Sequence, residues 1–484
     1  MITPPTSQLE DWLYAADRTS NWSRVVAVVA GLGVSGFAAA DALLRVGAQV
    51  SVVDSADDAV REERANILAT LGASIQLGSS ASVPTHVHLL IPSPGLPPTH
   101  PWLRDRSAVT VWSAEQLAWQ LRPIDRPAPW LVVTGTNGKT TTVEMLSRIL
   151  QSDGRRALAV GNVGRPLIEA VFAEPAFDVL AVELSSYQLH WTHRLRPHAS
   201  ALLNVATDHI DWHGSMPSYV ADKAKVFNGT ANTIVYNVQD LLTEQLARDA
   251  DVAEGCRAVG FTLGVPEVGM VGVVDGVLVD RAFTDDRRTH AQELLDAGDL
   301  QVAGEHNVGN ALAATALALS WGASATSVRR GLTGFEPDPH RMQPIASIAG
   351  IDYVDDSKAT NVSAADVSLS CFPRLVWIAG GLAKGGQFDD LVARHQSRLV
   401  GVVLIGADRA LIREAMERHA PEVPVIEVPD SDTDPMDHAV RAATVLARPD
   451  DTVLLAPACA SMDQFTDYAA RGDAFAHAVS RLPR

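Results

Sequence analysis

Residues Val132-Val-Thr-Gly-Thr-Asn-Gly-Lys-Thr-Thr-Thr142 set a β-branched apolar run directly against a short glycine loop and then a lysine and threonines. Such a run favours a buried strand, the glycines bare backbone amides, and the lysine and threonines read as the start of a helix. Strand, phosphate-cradling loop and helix in that order belong to a parallel sheet with covering helices. Gly135 and Gly138 let the backbone approach a triphosphate, Lys139 can reach its β- and γ-phosphates, and the Thr140 hydroxyl can ligate magnesium, with Thr136, Asn137 and Thr141 alongside. One position departs from the full phosphate-loop pattern. Val133 stands where the first glycine is expected, so something else must cradle the loop's entrance.

The same alternation of β-branched run, turn and helical pattern recurs through all 484 residues, enough chain for about three domains at roughly 150 residues each. Proline clusters at 122–129 and 337–344 read as linkers, because proline continues neither a helix nor a central strand. The division expected is therefore 1–126, 127–336 and 337–484, an α/β chain of three domains: Rossmann-like, phosphate-loop ATPase-type, and Rossmann-like again. Strands are expected at 24–30 and 49–53, with a helix at 35–46 between them. Others fall at 130–133, 178–183, 200–205 and 233–236, then at 375–379, 401–405 and 452–455. The stretch 265–279, glycine-punctuated and β-branched, reads as a hairpin rather than another crossover unit.

Lys and Arg number 39 against 57 Asp and Glu, a formal charge of −18 that repels phosphate backbones and anionic lipid. Nucleic acid and membrane insertion are not expected, and an anionic substrate must be held by local charge, helix N-termini or metal ions. Cys256, Cys371 and Cys459 are odd in number and far apart, which gives neither a disulfide framework nor a cysteine zinc site. The apolar stretch 25–40 is too short and glycine-rich to span a bilayer, and Glu10, Asp11 and Asp17 precede it where a secretory leader needs positive charge. A cytoplasmic location is expected.

Further chemistry sits at strand ends, where sites of parallel sheets collect. Gly31-Leu-Gly-Val-Ser-Gly36 opens a helix after a strand, with Asp54 ending the next strand. That pattern suits a diphosphate on the helix end and a ribose hydroxyl on the acid, and leaves NAD or another nucleotide open. Glu183 follows an apolar run and can hold magnesium; Asp208-His-Ile-Asp211 follows another, and His209 can take a second metal or a phosphate. His190, His193 and His198 lack a further ligand at fixed spacing and read as solvated surface rather than a zinc site. Asp356-Ser-Lys-Ala-Thr-Asn361 combines an acid, a cation and hydroxyls, beside the plainer reading that Ser357 or Asn361 caps a helix. Lys384 lies in a glycine-rich turn. Ser461 and Asp463 follow the last clear strand and read as either a carboxylate-binding turn or a helix cap.

Taken in order, these motifs together with Ser93-Pro-Gly95, Glu183-Leu-Ser-Ser186, Gly304-Glu-His-Asn307, His340-Arg341 and Pro457-Ala-Cys-Ala-Ser-Met-Asp-Gln-Phe465 resemble the Mur ligases over nearly the whole chain. The resemblance implies ATP-dependent joining of D-glutamate to UDP-N-acetylmuramoyl-L-alanine through an acyl phosphate, in peptidoglycan precursor synthesis. It implies a UDP-sugar site at Leu32, Gly33, Val34, Asp54, Ser55, Ser93, Gly95, Asn162 and Ser185, and nucleotide contacts at Asn307, Asn310, Arg341 and Asp356. Two magnesium ions are implied, held by Thr140, Glu183, His209 and a carbamylated lysine. The pattern Tyr219 to Phe227 selects Lys223 for that carbamate. D-Glutamate would meet Lys358, Thr360, Lys384, Ser461 and Tyr468, and the catalytic set would be Lys139, His209, Lys223 and Lys358. Departures from the family are Tyr468 for a usual phenylalanine, Ala456 for a usual serine, and Ala56 where some members place a basic side chain.

Overall fold

The structure is a computed structural model that describes residues 6–104, 109–302, 304–336, 339–429 and 434–483. Of the proline-rich stretch 337–344, Pro337 and Asp338 lie outside the described residues. The chain forms two compact units. One comprises Met1–Val205, Trp212–Gln301 and Asn307–Phe335; the other comprises Ala206–Asp211, Val302–His306 and Glu336–Arg484. Three separate sheets give the expected α/β architecture.

In the first unit, β1 (Val26–Ala30), β2 (Gln49–Asp54), β3 (Ser74–Leu77), β4 (Leu89–Pro92) and β5 (Thr110–Val111) form a parallel sheet ordered β3-β2-β1-β4-β5. β1 begins two residues later than the pattern suggests, because Trp22–Arg24 takes a single 3-10 turn in which the Asn21 side chain accepts the Ser23 amide. Helix Val34–Arg45 leaves the C-terminal end of β1, so its N-terminus faces the side where ligands of such sheets bind. Trp22, Trp112 and Trp130, all fully buried, join this sheet's core to the next in one apolar cluster.

The second sheet runs β14-β13-β12-β11-β10-β9-β6-β8-β7. Its strands are β6 (Trp130–Thr134), β7 (Ala157–Gly161), β8 (Val179–Glu183), β9 (Ala199–Leu202), β10 (Thr233–Asn237), β11 (Arg257–Phe261), β12 (Met270–Val274), β13 (Val277–Asp280) and β14 (Gln292–Asp296). β6 is buried at every residue and lies parallel between β8 and β9, with Val133 in register with Glu183 and Ala201. That register carries the loop after β6 and the acid ending β8 to the same sheet edge. The expected hairpin is β12 with β13, antiparallel. Asp275 (φ 49°) and Gly276 (φ 82°) are both left-handed at its tip, as a tight two-residue hairpin turn requires.

In the second unit, β15 (Gln343–Ile348), β16 (Ile351–Asp355), β17 (Leu375–Gly380), β18 (Leu399–Ile405), β19 (Val425–Glu427) and β20 (Thr452–Leu455) are ordered β15-β16-β20-β17-β18-β19. Only β15 is antiparallel, and two apolar clusters pack the sheet's two faces. Among the described residues, no helix is long and apolar enough to cross a membrane.

Candidate active site

The loop after β6 is held open by its own chemistry. Gly138 caps helix Lys139–Ser152 at φ 81°, and a Cβ there would lie 2.3 Å from Asn310 Oδ1, so only glycine fits without displacing that side chain. Lys139 Nζ donates to the carbonyls of Gly135 and Thr136 at 2.9 and 2.8 Å, which keeps its charge over the loop. Asn137, Lys139 and Thr140 are half-buried; Thr136 and Thr141 are buried. The entrance that lacks a glycine at Val133 is cradled by Asn204, just after β9. Its carbonyl accepts the Thr136 amide (3.0 Å), its Oδ1 accepts the Asn137 amide (2.9 Å), and its Nδ2 donates to the Asn137 carbonyl (3.1 Å). β9 ends at Leu202, short of the Val205 that the pattern suggests, although Leu203 still donates its amide to the Thr134 carbonyl (3.0 Å). Asn310 also accepts weakly from the Thr142 hydroxyl (3.4 Å) and donates to Asn307 Oδ1 (3.2 Å), so both asparagines flank the loop.

Glu183 ends β8 with 1% of its surface exposed. Asn162 Nδ2 donates to Oε1 at 2.8 Å, while no donor among the described residues reaches the buried Oε2. A buried carboxylate oxygen without a partner is costly. A divalent cation relieves that cost, and the acid's oxygen chemistry suits magnesium. Gly161, at φ 105°, lets β7 pass so close that a Cβ would meet the Glu183 carbonyl at 2.2 Å. Ser185 caps helix Ser186–His190 in a reciprocal box with Gln188.

Lys223 is 2% exposed, donates to the Gly135 carbonyl at 2.7 Å, and sits 4.8 Å from the centre of the Tyr219 ring. The Tyr219 hydroxyl in turn pairs with Thr136 Oγ1 at 2.8 Å. One residue earlier, Asp222 centres a cluster that no local motif signals. His190 Nδ1 (2.7 Å) and His213 Nδ1 (3.0 Å) meet its Oδ2, and Lys225 Nζ meets Oδ1 at 2.8 Å. Against the opposing effect of burial, these partners hold the Asp222 carboxyl far below the ordinary carboxylate range. The expectation that His190, His193 and His198 are solvated surface therefore fails for His190 and also for half-buried His198, whose ring nitrogen meets the Ser320 carbonyl at 3.3 Å. His193 is exposed, and His198 stacks edge-on against Trp321, so the three do not converge. With Lys225 already neutralising Asp222, the cluster reads as a brace between helices Ser186–His190 and Met216–Ala224.

The first glycine turn is equally tight. Gly31 takes φ 104°, and a Cβ on Gly36 would lie 1.9 Å from the Gly31 carbonyl. Ser93 donates its amide to the Ala30 carbonyl (2.6 Å), Leu32 is buried, and Val34, Ser55 and Gly95 are exposed around the turn. Asp54 holds the turn itself. Its Oδ2 accepts the Leu32 amide (2.6 Å) and Arg61 Nε (3.2 Å), and its Oδ1 accepts the Ala56 amide (2.9 Å).

The second unit carries the remaining candidates. His209 sits at φ 54° with Nε2 3.4 Å from Asp208 Oδ2, and Asp208 accepts Asn361 Nδ2 at 3.1 Å. Burial raises the Asp356 carboxyl to about 6, although the Ser368 hydroxyl and the Met342 amide donate to it. Half-buried Arg341 follows His340, whose ring meets Asp355 at 2.7 Å. Lys358 Nζ lies 3.6 Å over the Tyr468 ring, Thr360 is half-buried, Lys384 is exposed at φ 49°, and Ser461 is buried. Arg471, which no sequence motif marks, ties these loops together. It donates to Ser357 Oγ and to the carbonyls of Ser357 and Cys459 at 2.8–3.0 Å, and burial lowers it to about 10.

Asn361 does cap a helix, Val362–Ser370, as one expectation had it. Ser461 and Asp463 do not: the next helix starts at Tyr468 under an Asp467 cap. Ala458 at φ 59° bends the chain after β20, and Asp463 instead accepts the Ala407 amide (2.8 Å).

Residues 133–318 match the Mur ligase middle domain, and residues 340–459 match the Mur ligase, glutamate ligase domain. The UDP-N-acetylmuramoylalanine--D-glutamate ligase of Streptomyces coelicolor is 55% identical over 96% of this chain and 99% of its own. The protein of that name from Mycobacterium leprae is 44% identical over 93% of this chain and 97% of its own. Among solved structures, the UDP-N-acetylmuramate-alanine ligase of Thermotoga maritima superposes with a TM-score of 0.56 at 18% identity, covering 94% of this chain and 99% of that one. A pseudomurein peptide ligase type C from Methanothermus fervidus gives 0.58 at 18% identity over 95% and 100%. At such identity these two likenesses speak for the fold.

Proposed function

The chain belongs to the Mur ligase family, and from that premise we propose how its residues carry out the reaction. It is an ATP-dependent ligase that forms an amide between D-glutamate and UDP-N-acetylmuramoyl-L-alanine, a step in peptidoglycan precursor synthesis. The observation that supports the residue assignment best is the pairing, at one sheet edge, of the loop over Lys139 with the unpartnered oxygen of Glu183.

A carboxylate is a poor electrophile, so the L-alanyl carboxylate must first become an acyl phosphate. The Gly135 and Gly138 amides, left over once Asn204 has taken those of Thr136 and Asn137, and the Lys139 ammonium bind the triphosphate and take up charge as the γ-phosphoryl group moves to that carboxylate. The D-glutamate amine then attacks the acyl carbon, phosphate leaves, and an amide remains. Thr140 and Glu183 would hold magnesium, with Lys223 as a carbamate and His209 serving a second ion; the bound metal supplies positive charge to the phosphates. Burial of Lys223 against the Gly135 carbonyl supports this reading, since a carbamate supplies an anionic oxygen where an ammonium would repel a cation. Asn307, Asn310, Arg341 and Asp356 contact the nucleotide. Leu32, Gly33, Val34, Ser55, Ser93 and Gly95 line the UDP-sugar site, with Asp54 and Asn162 positioning the turn and the acid, and Ser185 nearby. Lys358, Thr360, Lys384, Ser461 and Tyr468 receive D-glutamate. Residues 1–126, 127–336 and 337–484 divide the work as nucleotide-sugar, ATP and amino-acid domains, in a cytoplasmic enzyme that takes no nucleic acid.

The carbamate is tested by labelling with ¹³C-bicarbonate. A carbamate resonance present in the wild type and lost in Lys223→Ala supports the assignment, and a signal common to both contradicts it.

A further inference from the structure

We propose that Arg64 is a direct ligand for the diphosphate of the nucleotide sugar. The inference rests on the UDP reading of the first glycine turn and deepens it by naming a side chain that no motif supplies. Arg61 and Arg64 lie three residues apart on helix Ala59–Thr70, and both reach the turn. Arg61 is already committed to acids, with Nε on Asp54 and Nη1 on Asp58. Arg64 differs. Its Nη1 donates to the Leu32 carbonyl at 3.1 Å, and among the described residues no carboxylate lies within ion-pair distance of it.

Leu32 immediately precedes Gly33, the N-cap of helix Val34–Arg45, and no side chain caps that helix. A guanidinium is thus fixed next to the positive end of a helix whose first amides have no side-chain acceptor. Like charges at such a point are unfavourable, and an anion resting between them reverses the sign. The tally at the turn is a helix end, Arg61 and Arg64 against Asp54 and Asp58, and Arg61 spans both acids. The two arginines and the two acids cancel in formal charge, so what is left to meet an anion is the helix end and an Arg64 guanidinium with no acid of its own among the described residues, in a chain whose formal charge is −18. The Leu32 bond uses one of the five guanidinium N–H groups and holds the fork in place. A diphosphate, with paired oxygens and two negative charges, is the ligand that this fork matches.

The test is calorimetric titration of the full chain with UDP, with uridine, and with ADP as a control for the loop over Lys139. Arg64→Ala should weaken UDP about tenfold to a hundredfold and leave uridine and ADP unchanged; Arg64→Gln, closer in shape, should do the same should the alanine variant fold poorly. UDP affinity within twofold of wild type would overturn the proposal. So would an equal loss for UDP and uridine, because that pattern marks a merely structural arginine. A wild type that binds ADP but not UDP would instead overturn the UDP reading of the turn, a distinguishable failure.

Discussion

Replacing Glu183 by glutamine separates what this acid does for the fold from what it does for the reaction. The wild-type side chain is 1% exposed, with Oε1 satisfied by Asn162 and Oε2 buried without a donor among the described residues. Glutamine keeps the shape and can keep the Asn162 bond, so no cavity opens. At Oε2 it exchanges an unpartnered acid oxygen for an unpartnered amide, and the difference between those penalties is about 1–2 kcal/mol in the variant's favour. At roughly 2 °C per kcal/mol for a unit of this size, the metal-free variant should melt about 2–4 °C higher than wild type. Millimolar magnesium should raise the wild-type midpoint and leave the variant's unchanged, because ligand binding stabilises only a state that binds it. Activity should move the other way, with ATP-dependent phosphate release falling about 100- to 1,000-fold. Differential scanning fluorimetry with and without magnesium, beside a phosphate-release assay, reads both. A variant that melts lower than wild type without metal, and still turns over within threefold, would refute the assignment of Oε2 to a cation.

Three further outcomes are expected. Gly36→Ala places a Cβ 1.9 Å from the Gly31 carbonyl and must shift the turn, so UDP affinity should fall at least about tenfold while ADP affinity holds, by titration calorimetry. Asp356 binds its proton more tightly in the fold, near 6 against an ordinary 3.8, so the stability it contributes is complete below about pH 4 and is lost as pH rises through 6. The wild-type advantage over Asp356→Asn should shrink by about 2 kcal/mol between pH 4 and 7, measured by chemical denaturation at each pH. Lys384→Ala and Ser461→Ala should each raise the KM for D-glutamate about tenfold or more with the KM for ATP unchanged, and steady-state kinetics showing equal damage to both constants would remove these residues from the amino-acid site.

What the sequence reveals is whatever depends on local chemistry. A β-branched run before Gly135 and Gly138 announces its strand and loop, and Asp275-Gly276 between apolar runs announces its hairpin, because neighbouring residues alone set those conformations. Hidden from it are side chains whose partners lie far along the chain. Asn204 cradles the loop 67 residues before it in sequence, and nothing next to Asn204 marks it for that work. Arg471 belongs to no motif in the sequence, yet it binds Ser357, 114 positions away. The missing glycine at Val133 is the one clue that a distant residue has to serve the loop. His190 departs from the surface expected of it because its partners, His213 and Asp222, reach it only through the packing of two helices. Ser461 caps no helix: the chain bends at Ala458 (φ 59°), whose amide donates to the distant Ala359 carbonyl (2.9 Å), and the next helix starts only at Tyr468.

In the reaction proposed for this chain, the loop over Lys139 delivers a phosphoryl group to the L-alanyl carboxylate and D-glutamate captures the product. Phosphate release measured with ATP, UDP-N-acetylmuramoyl-L-alanine and each candidate amino acid in turn tests it most directly, with Lys139→Ala alongside. One phosphate per amide formed, with D-glutamate the amino acid that supports it and a loss of at least about 100-fold in the variant, is the expected result. Amide formation at wild-type speed by Lys139→Ala, or turnover indifferent to D-glutamate, would contradict it.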